Sequence, residues 1–220
     1  MNEVTNESQA PSERTVIRRY GWLAKYDRDT IYSILDAALV CQIGYVIDGQ
    51  PFVTPTNFWR MGNYVHWHGS AASRMLRGQE KGIPICFSVT HLDGVVIARS
   101  AFNHNVNFRS VMAFGKAELL AEQDKRAALQ GFCDKLMLGL WNHARQPNEK
   151  EWRVTHVLRM PLDEVSAKVR TGPPIDDDED YALGSWAGVI PIHTVTGAVE
   201  PDPKLRPGIQ TPDFVTNFRK

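Results

Sequence analysis

The chain has 220 residues, 43% of them hydrophobic, with 25 Lys and Arg balanced by 25 Asp and Glu. That length is enough for one domain with a full core, the hydrophobic share excludes a disordered chain, and zero net charge excludes a general polyanion binder. Nucleic acid is therefore not an expected partner.

No apolar run is long enough to cross a membrane, and the polar start MNEVTNESQAPSER has no signal-peptide hydrophobic region. A cytoplasmic protein with no membrane partner is expected. Cys41, Cys86 and Cys133 are odd in number, widely spaced and set in apolar segments, which points to buried free thiols.

Residues 1–20 carry no periodicity and read as a mobile arm or a strap on a neighbour. From Asp27, a candidate cap, residues Ile31, Ile34, Leu35, Ala38 and Leu39 fall at helical spacing. Residues 40–47 (VCQIGYVI) predict a strand, and Asp48-Gly49 a hairpin turn. Residues 52–60 continue as a strand in which Pro55, lacking an N–H, belongs at an edge or bulge.

Met61-Gly62-Asn63 supplies the next turn. Residues 64–68 then alternate, with Val65 and Trp67 on one face and Tyr64, His66 and His68 on the other. Gly69 frees the backbone, and Ser70 reads as the N-cap of a helix burying Ala72, Met75 and Leu76. Open amides at that helix start, the Ser70 and Ser73 hydroxyls and Arg74 together make a candidate phosphate site.

Gly82 and Pro84 end the helix. Residues 85–91 and 95–100 predict a hairpin across Leu92-Asp93-Gly94. Residues 102–107 form a polar connection, and 108–120 a long strand bent at Gly115. Ala128, Leu129, Phe132, Leu136 and Leu140 mark a second amphipathic helix, and residues 154–160 and 164–170 read as closing strands broken at Pro161.

The acidic run 176–180 reads as a solvated loop, the apolar SWAGVIPI at 185–192 as a docking segment with Trp186 as a packing anchor or pocket lid, and the end beyond Pro201 as a strap or disordered tail. The division expected is an arm at 1–20, a barrel domain at 21–172 and a C-terminal extension at 173–220 packed on the barrel or a partner subunit. The fold class is mainly β, an antiparallel barrel with helices over its openings.

His66 and His68 share a strand face, but no Glu follows at cupin spacing, so no metal is assigned. His91 and His104 read as surface residues. No Ser-His-Asp or Cys-His spacing suggests a nucleophile.

The order of the segments, with FVTPTNFW, HWHGSAASRM and NFRSVMAFG, resembles the FMN-binding split β-barrel superfamily of pyridoxamine 5'-phosphate oxidase-like proteins, nearest its nitroimidazole-resistance branch. The resemblance spans residues 31–170. It implies a homodimer with FMN in the groove between two barrels.

Backbone groups of Thr54, Pro55 and Thr56 and the Asn57 side chain would meet the flavin ring. His68, Gly69, Ser70, Ser73 and Arg74 correspond to the phosphate and ribityl side, and Arg109 and Ser110 to positions reaching the flavin from the partner subunit. His68 matches a histidine near the active centre, which implies a substrate-facing role.

Met75 stands where the oxidases place a second basic residue, and their Arg-rich C-terminal signature is missing, so vitamin B6 oxidation is not the expected reaction. The expected activity is an FMN-dependent oxidoreductase acting on a nitro-aromatic, quinone or similar small molecule, with a nicotinamide nucleotide or a partner flavin reductase as donor. The alternatives are a non-catalytic flavin- or haem-binding protein, for storage, sensing or delivery, and a deazaflavin-dependent reductase.

Overall fold

The computed structural model describes residues 9–218. The first eight residues of the expected arm lie outside that range. From residue 9 on, the chain lies against its own sheet: a 3-10 turn at Glu13–Thr15 buries Thr15, Arg14 pairs with Glu164, and β1 (Ala24–Lys25) follows.

The first helix, α1 (Arg28–Ala37), starts where Asp27 accepts the Thr30 N–H at 2.8 Å, satisfying one of the free amides of the first turn. It buries Ile31, Ile34 and Leu35, as their spacing predicts. Strands β2 (Val40–Ile47) and β3 (Gln50–Met61) are joined by Asp48 and Gly49, both at positive φ, which suits the right-handed twist of a two-residue hairpin. A second tight turn at Gly62-Asn63 leads to β4 (Tyr64–Ser70).

The following helix, α2 (Arg74–Glu80), begins later than its sequence suggests. Ser73, not Ser70, is its N-cap, while the Ser70 hydroxyl accepts the Ala72 N–H at 3.2 Å and closes a turn. Ser70 is held as the last residue of β4 by pairing with Thr155, so it cannot also open a helix, and Ala72 is exposed rather than buried. Gly69 packs closely on the helix: a Cβ there would lie 3.3 Å from the Leu76 side chain.

The expected hairpin at 85–100 is instead one long strand, β5 (Pro84–Ile97). Its two halves both pair with β6 (Asn105–Lys116), and Leu92-Asp93-Gly94 is a bulge in the ladder. The bulge lets Arg109 of β6 hold the Asp93 carboxylate at 2.8 Å through two nitrogens. The real reversal uses the 3-10 turn Ala101–Asn103, after which the His104 ring accepts the Ala98 N–H at 2.9 Å. Both histidines read as surface residues thus have backbone partners, His91 meeting the Ile34 carbonyl at 3.0 Å.

Beyond β6 come β7 (Glu118–Leu119), α3 (Glu122–Leu136), α4 (Leu140–His143), α5 (Glu149–Val154), β8 (Thr155–Pro161) and β9 (Glu164–Arg170). Leu140 opens α4 instead of ending α3, because the chain turns extended at Met137, which ends α3 at Leu136, and Gly139 at φ 89 then stands as the N-cap of α4. The last strand, β10 (Gly188–Pro191), pairs with the β5 residues Gly94 to Ile97, and a short helix, α6 (Asp213–Thr216), sets Phe214 edge-on to His143.

Among the described residues the strand order is β1-β9-β6-β5-β2-β3-β4-β8-β7, with β10 off this path on β5. The sheet curls so that Ile43, Phe87, Val111, Ala113 and Val165 from one half share a core with Val65, Trp67, Leu158 and Met160 from the other. Gly115 lies where β6 crosses β8, since a Cβ there would be 2.9 Å from the Met160 sulfur. This is the expected split barrel.

On the far side of β4 and β8, α3 covers a smaller cluster centred on Trp59. Of the three free thiols only Cys41 is buried, and burial pushes it up to about 12; Cys86 and Cys133 are half-buried. No helix among the described residues is long and apolar enough to cross a membrane.

Asp176 contradicts the reading of the acidic run as solvated. Only 7% exposed, it accepts from the Arg99 and Ser100 N–H groups and from the Arg99 guanidinium at 3.1–3.3 Å. Burial works against its charge, but these hydrogen bonds outweigh it and hold the carboxyl below its usual range. The neighbouring acids 177–179 are exposed as expected.

Candidate functional site

Three places gather the residues singled out in the sequence: the free edge of β3, the start of α2, and the face of β4 covered by α3. The β3 edge arises because β4 pairs only with Phe58 to Met61, leaving residues 50–57 with β2 on one side and no strand among the described residues on the other.

In a two-residue hairpin the closing pair, Ile47 and Gln50, is hydrogen-bonded, so alternate residues Phe52, Thr54 and Thr56 turn their backbone groups to β2. Val53 and Pro55 turn outward. The missing N–H of Pro55 thus falls on the open side, where it leaves no ladder bond unmade. Val53 is 70% exposed and Asn57 is exposed, whereas the Thr54 hydroxyl meets Tyr45 Oη at 3.0 Å. What the edge offers a planar heterocycle is therefore the Val53 amide, two carbonyls and the Asn57 side chain.

Arg74 opens α2 with its guanidinium 4.2 Å from the centre of the Phe52 ring, which ties the helix start to β3. Ser73 stands at the N-cap without accepting a bond from the helix amides, and Arg77 is turned back onto the Ala71 carbonyl at 3.1 Å. Arg74, Ser73 and β3 thus form one continuous surface.

Arg109 and Ser110 lie elsewhere in the chain, three strands away from β3 in the sheet. The Arg109 guanidinium holds Asp93, keeping that carboxyl below and itself above their ordinary values, while the Ser110 hydroxyl donates to the Lys168 carbonyl at 3.3 Å. Trp186 is 67% exposed and lies over Gly188.

His68 is separated from Arg74 by the strand itself. It points with His66 to the α3 side, where its ring centre is 4.7 Å from Phe132 and 5.8 Å from Trp59. His66 stacks on Trp59 at 5.7 Å and is only 5% exposed. Burial, and then the nearby Arg159 charge, lower the His66 imidazole to about 4, while burial alone lowers His68. Both rings are neutral at pH 7. In each the Nδ1 atom is buried without a partner, as is Trp59 Nε1.

His68 forms the wall of a pocket of about 290 Å³ whose other sides include Leu129, Phe132, Trp141 and Trp152. The sequence identified His68 but not this pocket. Leu129 and Phe132 were legible only as the buried stripe of a helix, and Trp141 and Trp152 lie in short helices with no periodic signal.

Comparison with known proteins gives the family. The pyridoxamine 5'-phosphate oxidase family matches residues 27–169. The flavocytochrome Anf3 from Azotobacter vinelandii is 50% identical, covers 96% of this chain and 98% of its own, and superposes with a TM-score of 0.92. A FAD and heme binding protein from Mycobacterium smegmatis is 36% identical over 88% of this chain and 95% of its own, with a TM-score of 0.84. A candidate 5-nitroimidazole antibiotic resistance protein from Bacteroides thetaiotaomicron is 20% identical over 66% of this chain and 86% of its own, and at a TM-score of 0.57 it shares the fold alone. No curated protein matches the chain. The chain belongs to the pyridoxamine 5'-phosphate oxidase family, built on the FMN-binding split barrel.

Proposed function

We propose that this protein is a homodimeric oxidoreductase that binds a flavin along the β3 edge and a haem in the His68 pocket. The observation that carries the reading is His68: a neutral imidazole, clamped between Trp59 and Phe132, at the wall of an apolar pocket. Because its Nδ1 is buried and unpartnered, the other ring nitrogen is the one left for a ligand, and a neutral imidazole in an apolar enclosure suits iron. The flavocytochrome and the FAD and heme binding protein, similar over nearly the whole chain, support this choice.

The fit to a flavin rests on the open β3 edge. Val53 and Pro55 present backbone groups without a strand partner, Asn57 adds a side-chain amide, and Ser73 and Arg74 at the start of α2 add a hydroxyl and a cation for a phosphate. FMN meets these requirements, and so does the mononucleotide half of FAD. When bound, the flavin supplies two-electron chemistry and the haem one-electron chemistry.

The chain's own part is to bind, orient and shield. Donor and acceptor positions are fixed by the ladder with β2, and the pocket around His68 is walled by aromatic rings that keep water from the imidazole. Electrons from a nicotinamide nucleotide would pass to a small organic acceptor of the nitro-aromatic or quinone type.

The dimer is supported by the outer face of the sheet. Val40, Val46, Val53 and Met112 are 44–70% exposed on β2, β3 and β6, with Pro51 and Pro55 beside them, while their strand neighbours point into the core. An antiparallel sheet that ends in solvent carries polar residues there. This face carries those apolar side chains among Gln42, Asn57, Ser88 and Thr90 and adjoins the β3 edge, so a second copy would both cover it and complete the flavin groove.

Purified protein reconstituted with flavin and haemin should show both flavin and Soret absorption. His68→Ala should lose the Soret band and keep the flavin. Absence of a Soret band in the parent protein would refute the haem assignment, and a flavin that nicotinamide nucleotides never bleach under anaerobic conditions would refute the proposed donor.

A further inference from the structure

Beside the His68 pocket lies a second cavity of about 530 Å³ that shares Pro147 and Trp152 with it. Its remaining walls are Glu122, Lys125, Arg126, Glu149, Arg153 and His156. The two spaces differ in kind. One is lined mainly by Leu129, Phe132 and Trp141 around an imidazole, with Glu151 and Thr155 also in its wall, the other mainly by charged side chains.

Several of those charges are already engaged within the chain. Glu122 accepts the Trp152 Nε1–H and lies 3.6 Å from the Lys125 ammonium. Lys125, 5% exposed, donates to the Trp152 carbonyl at 2.5 Å, and His156 Nδ1 meets Glu80 at 2.5 Å. Arg126 and Arg153 remain on the rim, one on α3 and one on α5. Both are exposed; Arg126 makes a 3.4 Å contact with Gln146 and otherwise lies over the Trp152 ring. Against them stand two exposed carboxylates, Glu149 in the first turn of α5 and Glu122, the latter already engaged by Trp152 and Lys125.

We infer that the two cavities are one site for an amphiphile with an apolar planar body and carboxylates on one edge, and that Arg126 and Arg153 bind the two carboxylates of the haem whose iron His68 holds. This rests on the haem reading above. Three observations favour it. The apolar pocket alone, about 290 Å³, is at the small end for a ligand site, which runs to roughly 300–1,000 Å³. Trp152, shared by both spaces, gives a continuous aromatic wall from the imidazole to the cations, with Arg126 5.5 Å and Lys125 4.7 Å from its ring centre. Guanidinium forks match carboxylates in shape and stay charged at any working pH.

The test compares haemin with its dimethyl ester, which has the same iron and ring and no carboxylates. Full-length protein expressed under haem-limiting conditions is titrated with each, following the Soret band. Unsubstituted protein is expected to bind haemin at least ten-fold more tightly than the ester. The R126Q/R153Q variant should bind haemin about ten-fold more weakly and treat the two ligands alike, with unchanged thermal unfolding because both positions are exposed.

Equal affinity of the unsubstituted protein for haemin and ester would overturn the inference while leaving the haem reading in place. A double variant that still prefers haemin would overturn it too, since the carboxylates would then be held elsewhere. Binding of neither ligand would overturn the inference together with the haem reading.

Discussion

His66 and His68 stand two apart on one face of β4, yet packing divides their work. His68 ends at a pocket, whereas His66 lies flat on Trp59 under α3 with no room for a ligand. The pH dependence follows from burial. His66 in the folded protein is lowered to about 4 from an ordinary 6.5, so its contribution to stability is fully present above pH 6.5 and is lost as pH falls towards 4.

Between those limits the unfolded chain binds a proton that the folded chain refuses, a cost of up to about 3 kcal/mol. His66→Phe keeps the stacking on Trp59 and removes the proton site. Urea unfolding at pH 7.5 and pH 4.5 should show a smaller loss for this variant than for the parent, and equal losses would disprove the assignment. The strand alternation already placed both imidazoles on one face. It could not say which would be enclosed, because that depends on where α3 lies over them.

At the scale of elements, contact between α3 and the sheet is set by Gly131. A Cβ there would come within 2.8 Å of the Met61 sulfur and 3.4 Å of the Trp59 ring. Met61 is 38% exposed and flexible, so it can move aside for one methyl group, and Ala gains about 1 kcal/mol of helix propensity over Gly. Gly131→Ala should therefore be close to neutral. Gly131→Val brings a branched side chain onto the rigid Trp59 and should destabilise by about 1–3 kcal/mol, read by urea unfolding. A neutral Gly131→Val would mean that α3 is not packed on Trp59 as described.

The same scale explains two of the element boundaries that departed from expectation. Leu92-Asp93-Gly94 has the composition of a hairpin, but β6 pairs with both flanks and Arg109 captures Asp93, so the turn signal becomes a bulge. Gly94 also lies under β10, where a Cβ would be 3.0 Å from the Ile190 carbonyl. Likewise Ser70 carries a capping residue's chemistry, but its pairing with Thr155 of β8 keeps it in the strand. Local chemistry was read correctly in both places, and a partner distant in sequence decided which of its uses was taken.

For the whole molecule the outer sheet face is the feature to test. Val53 is 70% exposed, so Val53→Asp should leave the fold of a single subunit intact. If two copies meet there, the variant should become monomeric by light scattering and lose flavin affinity by ten-fold or more. A dimer that persists with full flavin binding would place the interface on another surface.

What the sequence by itself determined were the features that depend on near neighbours along the chain. The Asp27 cap, the Asp48-Gly49 turn, the alternation of β4, the outward position of Pro55 and the order of segments that marks the family all follow from contacts within a few residues, where backbone sterics and side-chain period leave few choices. Only the tertiary structure decided which strand edge stays open, that Asp176 is a buried clasp on Arg99, and that His68 faces an aromatic pocket next to a charged cavity lined by Arg126 and Arg153. These depend on α3, α5 and the C-terminal extension closing over strands up to about a hundred residues away, and burial, which sets both the imidazole charge and the shape of the pocket, exists only once they have closed.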